Sequence, residues 1–532
     1  MAYILAYDVG TTGVKTCLFK VDKGIELVGA CSEGYELYTF PDGGAEQHAD
    51  EWWDAMCVST KALFKRVDVK PCEIDGITFC SQMQGLVLVD EEGTPVRHPM
   101  SYMDQRASKE MHEGIGKGFK VAGMNAAKLL KSLSITGAVS GSVKDPMWRY
   151  LWVKNHEPEN FSKVKWWLDV KEYLIGRMTG VFVMTEDSAY STMLYDTREE
   201  TRGWSTELTE MFGVDISHLP KVIRTDEVAG KLRKEQAEEL GLEAGTSVFG
   251  GGGDASLIGV GAGCVKAGET HIYCGTSGWV STIVEKQIVD PNYMIASIIG
   301  AQSDKFNYFA EMETAGKSLE WVKDHLALDE IGVYLNKEEI TGDKETVYTS
   351  LYDYMSAVID KCPPGSGGVI FTPWLHGNRC PFEDHNASGI FFNISLETGK
   401  TEMIRAVTEG VCFHLRWMLE CQDKKIKTSK RIRFVGGGAL SKVTCQILAD
   451  ITGRVIETVD SPQNVGSAGA ALTAAVGMGI LDDMESIGNL IPVKETYKPR
   501  KEYKKVYDRN YKVFKSLYRS NKRNFSMINS KK

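Results

Sequence analysis

Two glycine-bounded loops of the same type, half a chain apart, constrain this sequence more than any other feature. Tyr3 to Asp8 and Val14 to Leu18 read as strands flanking Gly10-Thr11-Thr12-Gly13. His271 to Cys274 and Trp279 to Ile283 flank Gly275-Thr276-Ser277-Gly278 in the same way. Glycines at both ends let such a loop turn tightly and leave backbone N–H groups bare, where phosphate oxygens can meet them. Each hairpin begins a segment of similar length, so a duplicated fold is expected. The 532 residues exceed what one hydrophobic core serves, and two large domains fit best. The boundary is expected in the polar turn Lys266-Ala-Gly-Glu269, dividing the chain into residues 1–265 and 266–532.

The best catalytic candidate precedes the second hairpin. Asp254 follows four glycines and opens a run of small residues with helical character. Its carboxylate is therefore expected at a strand-to-helix turn that a ligand can approach closely. A position at the seam between halves suits chemistry that depends on closure. In the first half, strand Ile74 to Cys80 runs into Ser81-Gln82-Met83-Gln84-Gly85, and polar residues ending a buried strand suggest a ligand wall. Asp104 and Arg106, two apart on a loop, either point together into a cleft or form a surface ion pair. In the second half, strand Ile432 to Val435 breaks into Gly436-Gly437-Gly438-Ala439 before a helix carrying Gln446 and Asp450. A nucleoside could lie flat on that backbone, although such turns also serve packing alone. Ala315-Gly316-Lys317-Ser318 imitates the end of a phosphate-binding P-loop, but position 311 is Glu where that motif requires glycine.

Helices are expected from Trp52, over Trp148 to Lys154 and Val170 to Met178, and over Thr401 to Glu420, with a closely packed one from Gly466 to Ile480. Asp187 to Ser191 reads as a loop lining the first domain.

Composition excludes several classes. With 62 Lys and Arg against 71 Asp and Glu, the net charge of −9 argues against general nucleic-acid affinity. No apolar run reaches the length of a membrane span, and no secretion signal is evident, so a cytoplasmic protein is expected. The 12 cysteines show no C-x-x-C, and the 10 histidines no ligand spacing, which argues against a disulfide framework or structural zinc. From Lys498 to Lys532 the chain is basic, with Tyr503, Tyr507, Tyr511, Phe514 and Tyr518 at helical spacing. That pattern reads as a terminal helix docked by its aromatic face, the alternative being an arm for a membrane or nucleic acid. A homodimer stays open.

Together, Asp8 to Lys15, Gly251-Gly-Gly-Asp254, Gly275-Thr-Ser-Gly278 and Gly436 to Ser441 with Gln446 resemble the FGGY carbohydrate kinases over nearly the full length. Within that family, Glu46-Gln47 with Trp52-Trp53, Gln82 to Gly85, Trp152 with His156 to Glu159, and Arg177 to Gly180 are most similar to xylulokinases. The resemblance implies an α/β protein of two actin-like, ribonuclease-H-like domains flanking a cleft, sugar held mainly by the first and ATP by the second. It implies an ATP- and Mg²⁺-dependent kinase, with D-xylulose as expected acceptor and ribulose, fuculose, gluconate, erythritol or glycerol as alternatives. An actin-like ATPase that phosphorylates no small molecule is a more distant one. In this reading Asp254 is the base that takes the hydroxyl proton. Asp8 orients Mg²⁺ through water. Thr11, Thr12 and Lys15 meet the terminal phosphates from one side, and Gly275 and Thr276 from the other. Gly437, Gly438, Ala439 and Gln446 frame the adenosine, and Met83, Gln84, Asp104 and Arg106 face the sugar. Two departures concern the acceptor: xylulokinases usually have Met-His where this chain has Met83-Gln84, and Asp-Asn where it has Asp254-Ala255.

Overall fold

The computed structural model describes residues 1–121, 123–327 and 351–530. Two mixed sheets organise it. In the first, strand Ala2–Val9 lies between antiparallel Gly13–Val21 and parallel Ile74–Ser81, with Ile25–Gly34 at one edge and Ser247–Phe249 and Val228–Lys231 at the other. In the second, Thr270–Cys274 lies between antiparallel Gly278–Val284 and parallel Arg431–Val435. Both expected hairpins therefore form, and each sits at the centre of its sheet with the same neighbours in the same sense. The duplication read from the sequence is a duplication of topology.

Alternation along the first strand builds two cores. Leu5, Tyr7 and Val9 pack with Trp52, Trp53 and Met56 of helix Ala49–Phe64 and with Tyr173 and Leu174 of helix Val170–Thr179. Ile4 and Ala6, on the opposite face, pack with Leu257 and Ile258 of helix Asp254–Gly261 and with Ala470 and Ala471 of helix Val465–Gly477. Successive strand residues point to opposite faces, so one strand serves both layers. Helix Val465–Gly477 comes from beyond the second sheet's Val455–Thr458 yet covers the first sheet, tying the halves together. It can approach because of glycine: a Cβ at Gly261 would lie 1.8 Å from the Val465 carbonyl oxygen, and one at Gly469 would lie 2.2 Å from that of Leu257.

The terminal helix Lys504–Asn529 docks as expected, burying Tyr507, Tyr511, Phe514 and Tyr518 against Phe413, Trp374 and Phe382. Lys531 and Lys532 of the basic stretch lie outside the described residues. One expectation is corrected: Asp187 to Ser191 is not a loop but part of the buried helix Glu186–Ser191. Among the described residues no helix is long and apolar enough to cross a membrane.

Candidate active site

The first hairpin loop is held from three directions. Gly10 N–H donates to the Gly13 carbonyl at 2.9 Å, the Tyr35 hydroxyl donates to the Gly10 carbonyl at 2.5 Å, and Gln47 Nε2 donates to the Thr11 carbonyl at 2.8 Å. Thr11 Oγ1 lies 3.4 Å from the Tyr102 hydroxyl, and Thr12 is exposed at the tip. Asp8, at the end of the central strand, has a side chain 26% exposed and lies 3.9 Å from Lys15 Nζ. Burial pushes its carboxyl upward from the ordinary value, while the Lys15 ammonium pulls the other way. Lys15 Nζ also donates to the Gln463 carbonyl at 2.7 Å, so this cation bridges the two halves as well as facing the loop.

Asp254 is the first residue of its helix, and Oδ1 accepts from the Ala255 N–H at 2.7 Å. The turn before it pairs with strand Ile74–Ser81, Gly253 lying opposite Ser81. The Gly253 N–H is fixed by Asp187 Oδ2 at 2.7 Å. Burial is the main force raising the Asp254 carboxyl to about 7, and the negative charges of Asp8, Glu311 and Asp187 add to it. A carboxylate that titrates near neutrality is suited to accept a proton at physiological pH.

Met83 stands beside this turn, and Gln84 follows it in the chain. A Cβ at Gly253 would fall 2.2 Å from Met83 Cγ, so Met83 lies directly against the backbone that carries Asp254. Gln84 has φ of 63°, a left-handed conformation that costs a residue with a Cβ on the order of 1–3 kcal/mol and is held only by strong partners. Those partners are Asp169 Oδ2, which accepts from the Gln84 N–H at 2.8 Å, and the fully buried Arg149, whose Nη2 donates to the Gln84 carbonyl.

The second loop is held by the segment that resembled a P-loop. The N–H groups of Ala315, Gly316 and Lys317 donate to the carbonyls of Thr276, Gly275 and Thr276 at 3.0, 2.7 and 3.1 Å. The start of helix Gly316–Val322 thus spends its free donors on the hairpin rather than on an anion. Thr276 remains exposed at the loop tip. Gly437, Gly438 and Ala439 form a single 3₁₀ turn, Gly437–Leu440, and a Cβ at Gly438 would meet Cys274 Sγ at 2.8 Å, which brings this turn against the end of the second hairpin's first strand.

Three expected contacts find other work. Asp104 is fully buried: Oδ2 accepts from the Ala45 N–H at 2.8 Å and from Arg106 Nη2 at 2.6 Å. Arg106 also donates to Glu46 Oε1 at 2.5 Å and lies over the Trp152 ring. The pair points neither to solvent nor freely into the cleft. It braces strand Ala45–Glu46, and with it Gln47, which accepts from Gln82 Nε2 at 3.0 Å and holds the Thr11 carbonyl. Gln446 Nε2 donates to Asp450 Oδ1 at 3.0 Å and to the Lys498 carbonyl at 2.9 Å, leaving its oxygen as the group available to a nucleoside.

Charged residues that sequence reasoning missed act on Asp254 or pair across the two halves. Glu311, opposite Trp279 in the second sheet, pairs with Arg379, and Lys144 of the first half lies 3.8 Å from Glu313 of the second. Nothing local marks them, because their partners are far apart in sequence. Asp187 and Lys171 did carry a signal. A lysine, a glutamate and an aspartate in otherwise apolar stretches must find internal partners if those stretches are buried.

Residues 3–261 match the N-terminal domain of the FGGY family of carbohydrate kinases, and residues 271–478 match its C-terminal domain. The chain is 27% identical over 524 residues to the xylulose kinase of Staphylococcus epidermidis, covering 98% of this chain and 97% of that one. It is 27% identical over 532 residues to the gluconokinase of Bacillus licheniformis, covering 99% and 98%. The crystal structure of a ligand-bound xylulose kinase from Lactobacillus acidophilus superposes with a TM-score of 0.83 at 25% identity, covering 99% of this chain and 100% of that one. Two actin-like α/β domains, duplicated phosphate-type hairpins and matches to both family models over most of the chain lead to one conclusion: the chain belongs to the FGGY family of carbohydrate kinases and is an ATP-dependent sugar kinase.

Proposed function

We propose that the chain transfers the γ-phosphate of ATP to a primary hydroxyl of a ketose, D-xylulose first, giving D-xylulose 5-phosphate. The observation that carries this reading is Asp254, raised to about 7 at a turn shared with the Met83-Gln84 wall. Asp254 takes the hydroxyl proton as the oxygen attacks. Thr11, Thr12 and Lys15 meet the phosphates from the first hairpin, and Gly275 and Thr276 from the second. Gly437, Gly438 and Ala439 support the nucleoside, with Gln446 contributing through its oxygen. Asp8 offers a hard, partly exposed oxygen donor, and among the described residues no cluster of three or more His, Cys, Asp or Glu could hold a metal by itself. That donor set fits a Mg²⁺ that keeps most of its waters and arrives with ATP. Bound there, the ion would neutralise charge on the phosphates.

For the acceptor, Met83 and Gln84 are the contacts supported by position, and Asp104 and Arg106 act behind them. The amide of Gln84 can donate and accept, so it can replace a histidine toward a sugar hydroxyl. The full-length gluconokinase relatives favour gluconate as a second reading. Its carboxylate would need an unmatched cation, however, and Lys144 and Arg379 already face Glu313 and Glu311. This favours a neutral ketose. Twelve unpaired thiols and dependence on ATP support a cytoplasmic place for the reaction. A coupled ATP assay across D-xylulose, L-xylulose, D-ribulose, gluconate, glycerol and erythritol, reported as kcat/KM, tests the acceptor. D-xylulose is expected to be best, and another acceptor exceeding it by about tenfold, 1.4 kcal/mol, would overturn the choice.

A further inference from the structure

Helix Val170–Thr179 is buried on all sides except at Arg177, yet it carries Lys171 and Glu172, both 0% exposed. A buried ammonium must use all three of its donors. Lys171 does: Nζ donates to Glu172 Oε1, to Thr185 Oγ1 at 2.5 Å and to Ser188 Oγ at 2.7 Å. Thr185 Oγ1 and the Ser188 N–H in turn donate to Asp187 Oδ1 at 2.6 and 2.9 Å. The other oxygen of that carboxylate, Oδ2, accepts from the Gly253 N–H. An unbroken chain of buried hydrogen bonds therefore runs from the lysine to the residue before Asp254.

The same helix reaches the acceptor wall. Its N-cap, Asp169, accepts from the N–H groups of Gln84 and Gly85 at 2.8 Å each and from its own Val170 N–H at 2.7 Å. One rigid element thus fixes the turn that presents Asp254 and the strained residue that faces the sugar. Glu172 and Asp187 are both fully buried, and their negative charge needs a cation that Lys171 supplies.

We propose that Lys171 is a positioning residue for phosphoryl transfer, acting through Thr185, Ser188 and Asp187 on the Gly253 turn and so on Asp254. The proposal rests on the reading of Asp254 as the base. Misplacing a reacting group by about 1 Å can cost on the order of 10²-fold in rate. Lys171 touches neither sugar nor nucleotide, so it acts on kcat and not on nucleotide affinity.

The test is a double-mutant cycle of Lys171→Met with Asp254→Asn, followed by transfer of labelled phosphate from ATP to D-xylulose. Lys171→Met alone is expected to lower kcat by about 10–100-fold, with the KM for MgATP changed less than about twofold. In the Asp254→Asn background the same substitution is expected to change kcat by less than about threefold, because there is no longer a base to position. Equal losses in both backgrounds would mean a merely structural role and would overturn the proposal, as would a wild-type kcat for Lys171→Met. If Lys171→Met does not yield folded protein, Asp187→Asn enters the same cycle with the same expectation. Should Asp254→Asn itself retain wild-type turnover, the reading of the base fails first and the proposal with it.

Discussion

Replacing Asp254 by Asn should make the protein more stable while disabling it. The amide keeps the shape of the carboxyl and can still accept from the Ala255 N–H, but it cannot ionise. In the native protein, burial and the charges of Asp8, Glu311 and Asp187 raise this carboxyl from 3.8 to about 7. Below about pH 4 both folded and unfolded wild type hold the proton, and the two proteins differ little. Between pH 4 and 7 the unfolded chain ionises while the folded one does not, so wild-type stability falls as pH rises. Above 7 the loss is complete. At 1.36 kcal/mol per decade it amounts to about 4 kcal/mol, and the intermediate exposure of Asp254 reduces this to about 2–4 kcal/mol. Unfolding of nucleotide-free, chelator-treated protein should show a gap in favour of the Asn variant of a few degrees at pH 8, narrower at pH 6 and flat above pH 8. The same variant should lose about 10²–10⁴-fold in kcat. A variant no more stable than wild type at pH 8 would show that Asp254 is not a desolvated anion, whatever its turnover.

The free-enzyme titration of Asp254 also predicts that kcat/KM for the sugar rises with pH and levels off above about 7; a profile flat from pH 5.5 to 8 would contradict the assignment. Asp104→Ala removes one of the two buried carboxylates that hold Arg106, Glu46 remaining, and leaves the Ala45 N–H without its acceptor; it should cost about 1–3 kcal/mol in urea unfolding, whereas a surface pair would cost under about 1 kcal/mol. Gly316→Ala places a Cβ 2.4 Å from the Gly275 carbonyl oxygen, displacing the second hairpin, and calorimetry should show ADP binding weakened about tenfold. Tyr507→Phe removes a hydroxyl bonded to Glu409 and Arg405 at 3.0 Å each, and should lower stability by about 1–3 kcal/mol with kcat unchanged.

Much of the architecture was legible because its signals are local. Glycine at both ends of a four-residue loop, strand runs on either side, and an acid after a glycine run are properties of ten or fifteen neighbouring residues, and they located both hairpins and Asp254. The aromatic spacing of the terminal helix likewise implied a docked face, since an amphipathic period has one physical use in a buried interface. Asp187 was misread as a loop residue because a helix of six residues leaves too short a period to recognise.

What the tertiary structure decided was which polar groups meet. Asp104 and Arg106 were visible as a pair, but only folding brings Glu46 and the Ala45 N–H to them and turns an apparent cleft contact into a brace. Gln446 was visible as a helix residue, but the return of the chain to Lys498 engages its amide nitrogen. The hydroxyl partners of Lys171 lie 14 and 17 residues away, and the turn fixed through Asp187 lies 66 residues beyond it. A residue's type and its neighbours determine what bonds it can make; the fold determines which of them remain free for a substrate, because in a buried site every donor must first be satisfied from within.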